Sequence, residues 1–251
     1  MNKKSLQVTA SILIIGNEIL SGRTQDKNVV ILSEWLNKLG VKTKEVRVIP
    51  DVETKIIETV NHLRNNFNYV FTTGGIGPTH DDITAESISK AFNRNYEFHK
   101  DAFRILEEYY LPGEFNEGRQ KMAKMPADAK LILNPSSGAP GFFVENVFCL
   151  PGVPLILQSM LGGLKYAIVG GNPVLSDTIN LKTVESEIAK QLTKIQNNNK
   201  EVEIGSYPFF QAGKLGVSIV MRSTDQNKID NCNLEIMKLV KEKNIQIAEK
   251  R

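Results

Sequence analysis

The chain has 251 residues, of which 41% are hydrophobic and 24% are charged, a balance typical of a globular protein. Its formal net charge of +3 argues against a nucleic-acid-binding protein, because no basic cluster longer than a few residues accompanies it. No apolar stretch approaches the roughly 20 residues that a bilayer span needs, which argues against a membrane-spanning helix.

The N-terminal segment and the two cysteines favour a cytoplasmic protein. The first lysines precede an apolar run that breaks at Gly16-Asn17-Glu18, too early for a signal peptide. Cys149 and Cys232 lie far apart and form no Cys-x-x-Cys pair, a pattern typical of reduced, buried thiols. We therefore expect a cytoplasmic location and no disulfide.

Strands and helices alternate along the first third of the chain. Apolar runs predict strands at residues 8–15, 41–51 and 69–73, and helical spacing predicts helices at residues 28–39, 56–67 and 83–92. Gly40 follows the first helix as a C-terminal cap. This alternation predicts an α/β fold in which parallel strands are joined by right-handed crossovers.

The middle of the chain is less regular and leads to a second, smaller domain. We predict helices at residues 102–110, 116–125 and 155–168, the last weakened by two glycines, with two or three short strands within residues 129–154. A linker-like VGGNP stretch divides a domain of residues 1–171 from one of residues 172–251. The second domain has a β-α-β-β-α pattern, which predicts a small α+β fold.

The stretch FTTGGIGPTHDDIT, residues 71–84, follows the third strand and carries the clearest chemical pattern. Gly74, Gly75 and Gly77 permit positive φ and close approach of a ligand, so their amides can point at an anion. The following helix adds the positive end of its dipole. The stretch matches neither a P-loop nor the G-x-G-x-x-G pattern, so the ligand is not identified by a standard motif.

Asp81 and Asp82 follow these glycines, where a carboxylate is expected to repel phosphate. One of them can cap the next helix, which would contribute about 1 kcal/mol. Alternatively they hold a divalent cation that bridges to phosphate, or accept a hydrogen bond from a heterocycle. Asp51 carries a similar ambiguity: it is a turn residue after proline, or a metal ligand, ribose contact or catalytic carboxylate at the same rim.

Other polar residues lie near the predicted strand ends. Glu18 and Asn28 are rim residues or helix caps, with caps slightly favoured. His80 is one loop histidine, which is more often solvated than a metal ligand. Ser136 and Ser137, in NPSSGAPG, belong to a turn or supply a second contact to phosphate or sugar.

The motifs IIGNEILSG, DKN, TTGGIGPTHDDIT, NPSSGAPG and LPGVP occur in this order and strongly resemble the MoaB/Mog-type molybdopterin-binding domain, as found at the N-terminus of CinA. A similar domain begins eukaryotic FAD synthase. The likeness covers about residues 8–170 and implies a three-layer, mostly parallel sheet, followed by a small KH-like α+β domain. We expect the ligand to be bound on the glycine-rich rim by Gly16, Glu18, Asn28, Thr73, Gly74, Gly75, Gly77, Pro78, Thr79, Ser137, Gly138, Pro151 and Gly152.

The resemblance also implies an activity. CinA-type domains are associated with metal-dependent hydrolysis of ADP-ribose, and the FAD synthase domain with hydrolysis of FAD. By this likeness Asp82 is catalytic, Asp51 matches a second acid less securely, and Asp82 with Asp81 would hold Mg²⁺, Mn²⁺ or Co²⁺. Relatives form dimers or trimers, so we expect a homo-oligomer. Because the sequence ends at Arg251, we expect neither CinA's amidohydrolase domain nor the adenylyltransferase domain of FAD synthase.

Three functions follow as hypotheses. The first is a metal-dependent nucleotide pyrophosphatase, and the second is a molybdopterin-binding protein without hydrolase activity. The third is nucleic-acid binding through GKLG, residues 213–216, which fits the GxxG loop of KH domains. We consider the third the weakest, because GKLG opens a predicted strand and residues 172–251 carry 12 basic and 10 acidic residues, a net of only +2.

Overall fold

The computed structural model describes residues 7–211 and 214–248. The chain divides into two compact units, the first ending at Gly171 and the second beginning at Asn172. Among the described helices, none combines the length and the apolar character required to cross a bilayer.

The first unit contains eight strands and seven helices within the described residues. The strands are β1 (Thr9–Ile15), β2 (Lys42–Ile49), β3 (Tyr69–Thr73), β4 (Tyr96–Phe98), β5 (Lys124–Pro126), β6 (Lys130–Ile132), β7 (Gly141–Val144) and β8 (Val147–Leu150). The helices are α1 (Asn17–Leu20), α2 (Asn28–Lys38), α3 (Glu53–Asn66), α4 (Thr84–Ala91), α5 (Lys100–Tyr109), α6 (Glu117–Lys121) and α7 (Pro154–Leu164).

Six of these strands form one sheet in the order β2-β1-β3-β8-β7-β6. The β2-β1, β1-β3 and β3-β8 pairs are parallel, whereas β8-β7 and β7-β6 are antiparallel. The chain passes from β1 to one neighbour, β2, and then returns to β3 on its other side. This reversal makes a topological switch point at the carboxyl ends of β1 and β3, where open α/β sheets bind their ligands.

Two hydrophobic cores, one on each face of the sheet, make the unit a three-layer α/β structure. One core includes Ile56, Val60 and Leu63 of α3 and Ile88 of α4. The other includes residues of α2 and α7 packed on Phe71 and Phe148. The near-continuous apolar sequences of β1 and β3 follow from burial on both faces. The predicted fold class, an α/β unit with a mostly parallel sheet, is confirmed.

The predicted helix at residues 116–125 is wrong in its second half. Helix α6 ends at Lys121, and β5 pairs with β4 in a separate two-stranded sheet. Ala123 and Met125 are buried and alternate with Lys124, a period of two that suits a strand. Pro126 would also interrupt a continuing helix.

The second unit has a three-stranded antiparallel sheet in the order β10-β11-β9, with β9 (Leu175–Leu181), β10 (Glu203–Gln211) and β11 (Lys214–Ser223). Its helices are α8 (Glu185–Asn198) and α9 (Gln226–Glu242), whose apolar residues share one core with the strands. The predicted β-α-β-β-α order is confirmed. Of the GKLG stretch, Gly216 lies within β11 and Gly213 lies outside the described residues.

Candidate ligand-binding cleft

Three loops meet at the switch point and, together with the loop between β6 and β7, line a cleft of about 560 Å³. They follow β1, β3 and β8, whose carboxyl ends lie side by side in the sheet. The Gly74 amide donates to the Leu150 carbonyl over 3.1 Å, which joins the β3 loop to the β8 loop. The lining consists of Glu18, Thr24, Gly74, Gly75, Ile76, Gly77, Pro78, Thr79, Asp82, Met122, Asn134, Ser137, Ala139, Pro140, Pro151, Gly152, Val153, Pro154 and Ile156.

Two glycines of the β3 loop are required by its geometry. Gly74 and Gly75 have φ values of 99° and 67°, a region that other residues rarely adopt. A Cβ atom on Gly74 would lie 2.2 Å from the Ile15 carbonyl oxygen, and one on Gly75 would lie 2.1 Å from Thr84 Oγ1. The loop therefore brings bare backbone to the cleft surface, as expected for a loop that contacts an anion.

Thr79 joins the two carboxylates at the far end of this loop. Asp82 Oδ2 accepts hydrogen bonds from the Thr79 amide over 2.8 Å and from Thr79 Oγ1 over 2.6 Å. Asp81 Oδ1 lies 2.5 Å from the same hydroxyl, which has one proton to share between two acceptors. Gly77 leaves room for this arrangement, because a Cβ atom there would lie 2.6 Å from Asp82 Oδ2.

This arrangement rules out the capping interpretation of both aspartates. Helix α4 has Ile83 at its N-cap position, where the described part of the chain makes no side-chain cap hydrogen bond. The carboxylates of Asp81 and Asp82 turn back to Thr79 instead. They lie beside the glycine loop and do not cap the start of α4.

Charged and polar side chains surround Thr79 and the two aspartates. Lys121 Nζ donates to the Thr79 carbonyl. The hydrogen bond from the Thr79 hydroxyl is the largest cause that holds the pKa of Asp81 below its usual value, and His80 and Lys121 add smaller contributions. Tyr96 lies in a small cavity beside Asp82, and burial raises the pKa of its hydroxyl to about 12.

Of the site residues predicted after β1 and β2, Glu18 lies in the cleft and Asp51 lies outside it. Glu18 lines the cleft, and its carboxylate occupies the space where a Cβ atom on Gly16 would lie. Asp51 Oδ2 accepts the Asn17 amide over 2.8 Å, and Asp51 is not among the residues that line the cleft. Asp51 thus holds the start of α1, the short helix that carries Glu18.

Asn28 connects two loops and does not cap a helix. The N-cap position of α2 is Lys27, and Asp26 Oδ1 accepts the Val29 amide over 2.9 Å. The Asn28 Nδ2 group donates to the Gly152 carbonyl over 2.8 Å. The expectation that Asn28 is a cap is therefore wrong, because Asp26 supplies the carboxylate for the first turn of α2.

Asn134 organises the wall formed by NPSSGAPG, and the sequence analysis missed it. Its Oδ1 accepts the amides of Ser136 and Ser137 over 3.0 and 3.1 Å. Its Nδ2 donates to Ser137 Oγ over 2.7 Å and to the Ala139 carbonyl over 2.8 Å. An asparagine before proline is a turn signal, which identified the loop but not this network. Gly138 faces the ring of Tyr109 and does not line the cleft.

Helix α7 presents its N-terminus to the cleft. Val153, at its N-cap position, and Pro154, at its first position, both line the cleft. The first amides of a helix have no partner within it and carry the positive end of the dipole. With the glycine loop, α7 gives the cleft a second source of backbone donors for an anion.

The described residues contain no group of three or more His, Cys, Asp or Glu side chains that could hold a metal ion. His80 is exposed and does not line the cleft. Asp81 and Asp82 remain a pair of carboxylates on one hydroxyl. A pair of this kind fits Mg²⁺, which proteins commonly hold through one or two carboxylates, with waters and substrate phosphates as the other ligands.

Comparisons with known proteins agree with this architecture. A family model described as a probable molybdopterin binding domain matches residues 11–169, and one described as the FAD synthase middle domain matches residues 173–249. A protein of Archaeoglobus fulgidus is 33% identical over 197 residues, which cover 78% of this chain and 84% of that protein. A putative competence-damage inducible protein of Clostridium botulinum is 27% identical over 93% of this chain and 59% of its own length.

A solved structure supports the fold directly. The CinA protein of unknown function from Thermoplasma acidophilum is 30% identical, has a TM-score of 0.60, and matches 63% of this chain and 96% of its own. These matches confirm the resemblance to molybdopterin-binding and CinA-type proteins, and they add a match of the second unit to the FAD synthase middle domain.

Proposed function

The chain belongs to the family of probable molybdopterin-binding domains, and from this premise we propose that its cleft hydrolyses the pyrophosphate bond of a dinucleotide such as ADP-ribose or FAD. The observation that carries the proposal is the presence, in one cleft, of a glycine-loop backbone suited to an anion and of the Asp82 carboxylate. Asp81 is not among the lining residues but bonds to the same Thr79 hydroxyl as Asp82. A site that only bound phosphate would gain nothing from Asp81 and Asp82, because their charges repel it.

The backbone of the cleft binds the diphosphate in this proposal. Amides of the loop from Gly74 to Gly77 and of the first turn of α7 donate to phosphate oxygens. Ser137 lines the same cleft and offers a hydroxyl to a ribose or phosphate group. Asn134 fixes Ser137 through the hydrogen bonds to its amide and hydroxyl.

The two aspartates supply the carboxylates for a divalent cation in this proposal. Asp82 and Asp81 would hold a divalent cation, which polarises a phosphoryl group and lowers the pKa of the attacking water. Thr79 fixes Asp82 from two directions, through its amide and its hydroxyl. Asp51 acts as a positioning residue, since its carboxylate holds the helix that carries Glu18. Water adds to one phosphorus, the bridging P–O bond breaks, and two phosphate monoesters leave.

A second candidate function is molybdopterin binding without hydrolysis. The description of the family model favours it, and the cleft of about 560 Å³ has the size of a small-molecule site. In this case Asp82 would position the pterin or an adenylate phosphate. The protein would then retain a pterin during purification and release no AMP from dinucleotides.

One assay separates the two candidates. The purified protein is incubated with ADP-ribose, FAD or NAD in the presence of Mg²⁺, Mn²⁺, Co²⁺ or EDTA, and AMP release is measured. Release that depends on a cation and ceases with EDTA supports the pyrophosphatase. Absence of release with every cation, together with a fluorescent pterin in the denatured protein, would instead favour the binding function.

A further inference from the structure

A small recess, here called the annex, opens from the cleft beside α2. It has a volume of about 50 Å³, enough for a few water molecules or one small substituent of a ligand. The annex and the cleft share Glu18, Thr24, Gly74, Gly152 and Pro154, so a ligand in the cleft can extend into it. Asn28 and Thr73 line the annex but not the cleft.

Two buried oxygen atoms of the annex lack hydrogen-bond partners among the described residues. Asn28 is 3% exposed and Thr73 is 1% exposed, yet Asn28 Oδ1 and Thr73 Oγ1 make no hydrogen bond. The orientation of the Asn28 amide is fixed, because the Gly152 carbonyl can only accept and therefore faces Nδ2. A buried polar atom without a partner is costly, so a donor that reaches these two atoms from the cleft would bind favourably.

The chemistry of the annex selects the kind of donor. Asn28 Oδ1 can only accept, and the Glu18 carboxylate at the shared wall is also an acceptor. Thr73 Oγ1 can accept or donate, Asp26 adds another carboxylate to the lining, and Lys27 is an exposed residue of the lining. An amino group suits this set of acceptors, since one nitrogen donates two hydrogens. A carbonyl oxygen could accept the Thr73 proton, but it would face Asn28 Oδ1 with no proton between them.

We propose that the annex receives the exocyclic amino group of the ligand's heterocycle, and that Asn28 and Thr73 select amino-bearing rings over their oxo counterparts. This inference rests on the proposed function, because it assigns the base-recognition part of the same cleft. Adenine and pterin both carry such a group, so the selection does not depend on which of the two candidate ligands is bound.

The test is calorimetric binding of AMP and of IMP, which carries an oxo group where AMP has the amino group. Wild-type protein is expected to bind AMP roughly tenfold more tightly than IMP, since IMP leaves Asn28 Oδ1 unpaired. Thr73→Val keeps the shape and removes the hydroxyl, so AMP binding weakens severalfold while IMP binding stays within about twofold of wild type.

Thr72→Val is the matched control. Thr72 is equally buried, but it precedes Thr73 in β3 and therefore faces the other side of the sheet. This variant should keep the wild-type preference for AMP, and the melting temperature of Thr73→Val should not fall, because the lost hydroxyl makes no hydrogen bond.

Equal wild-type affinities for AMP and IMP would overturn the annex assignment, as would an unchanged preference in Thr73→Val. Failure of both nucleotides to bind would overturn it too. The AMP-release assay then decides independently whether the proposed function fails with it.

Discussion

Thr79 Oγ1 has one proton and two carboxylate neighbours, and this shortage of donors is the clearest residue-scale feature of the cleft. Asp82 also receives the Thr79 amide, so it keeps a donor when the hydroxyl turns to Asp81. The two carboxylates are thus held close together by one hydroxyl. In the proposed pyrophosphatase, a cation would balance their charge.

Thr79→Val tests whether this hydroxyl positions the carboxylates. We expect kcat/KM for ADP-ribose to fall about tenfold or more, because Asp82 keeps only its amide donor and Asp81 loses the hydroxyl. Thr79→Ser is the control that retains the hydroxyl, and it should keep most of the activity. Equal activity in Thr79→Val and wild type would show that the hydroxyl has no part in catalysis.

Asn134→Ala tests the residue-scale organisation of the opposite wall. The change removes four hydrogen bonds from a buried side chain, so the free energy of unfolding should fall by about 1–3 kcal/mol. Denaturant titration measures this loss. Ser136→Ala is the control, since only the backbone amide of Ser136 bonds to Asn134 and the variant should lose little.

At the scale of elements, the close packing of β1 and α4 against the loop leaves no room for a Cβ atom at Gly74 or Gly75. Gly74 meets the carbonyl of β1 and Gly75 meets a side chain of α4, so the loop is held between the strand and the helix. This contact sets the position of the amides that face the cleft. Alanine at position 74 must move the backbone of β1, whereas alanine at position 75 must move the Thr84 side chain.

Gly74→Ala should destabilise the first unit by more than the cost of positive φ alone. Gly22 provides the comparison, because its φ is 74° and a Cβ atom there would meet nothing within 4 Å. We expect Gly22→Ala to cost about 1–2 kcal/mol and Gly74→Ala clearly more, as measured by denaturant unfolding. Equal losses in the two variants would contradict the close contact with Ile15.

The glycine pair in α7 has the opposite character. Gly162 and Gly163 are exposed in the helix, and a Cβ atom at either would meet nothing within 4 Å. Alanine at each position should stabilise the protein by about 0.5–1 kcal/mol. The burial of Leu157, Leu161 and Leu164 explains why α7 forms despite these two residues.

The sequence could predict most elements but not how the loop side chains bond. The runs in β1 and β3 and the helical spacing of α2 and α3 identify elements that bury an apolar face, and burial is a property of the local pattern. The contacts of Asp82 with Thr79, and of Asn28 with Gly152, depend on turn geometry and on pairings across 124 residues. A single sequence records neither of these.

For the same reason, the local pattern favours capping at Asn28 and leaves capping open for the two aspartates. Each residue type has a strong local preference for helix N-termini. Tertiary partners outweighed that preference: the Gly152 carbonyl for Asn28, and Thr79 for the two carboxylates. The annex shows no sequence pattern at all, since it arises where α2 meets the β3 and β8 loops.

At the scale of the whole molecule, each unit buries one free cysteine. Burial raises the pKa of Cys149 to about 12 and that of Cys232 to about 11, from an ordinary value of 9.0. The unfolded chain therefore releases thiol protons at a pH where the folded chain still holds them. Stability from this source is complete below about pH 9 and declines as the pH rises toward the folded values.

Two results are expected from the buried thiols. A thiol reagent at pH 8 should react with almost no cysteine in the folded protein and with both after denaturation. The free energy of unfolding should be lower at pH 10.5 than at pH 8.5. Rapid reaction of either thiol without denaturant would contradict the burial of that cysteine.

The central claim is that the glycine loop and Asp82 together form a hydrolytic site. The most direct measurement is AMP release from ADP-ribose with Mg²⁺ by wild type, Asp82→Asn and Asp101→Asn, the last an exposed aspartate at the start of α5. We expect Asp82→Asn to lose about a hundredfold or more in kcat with a melting temperature near that of wild type, and Asp101→Asn to lose nothing. Wild-type turnover in Asp82→Asn would contradict the claim.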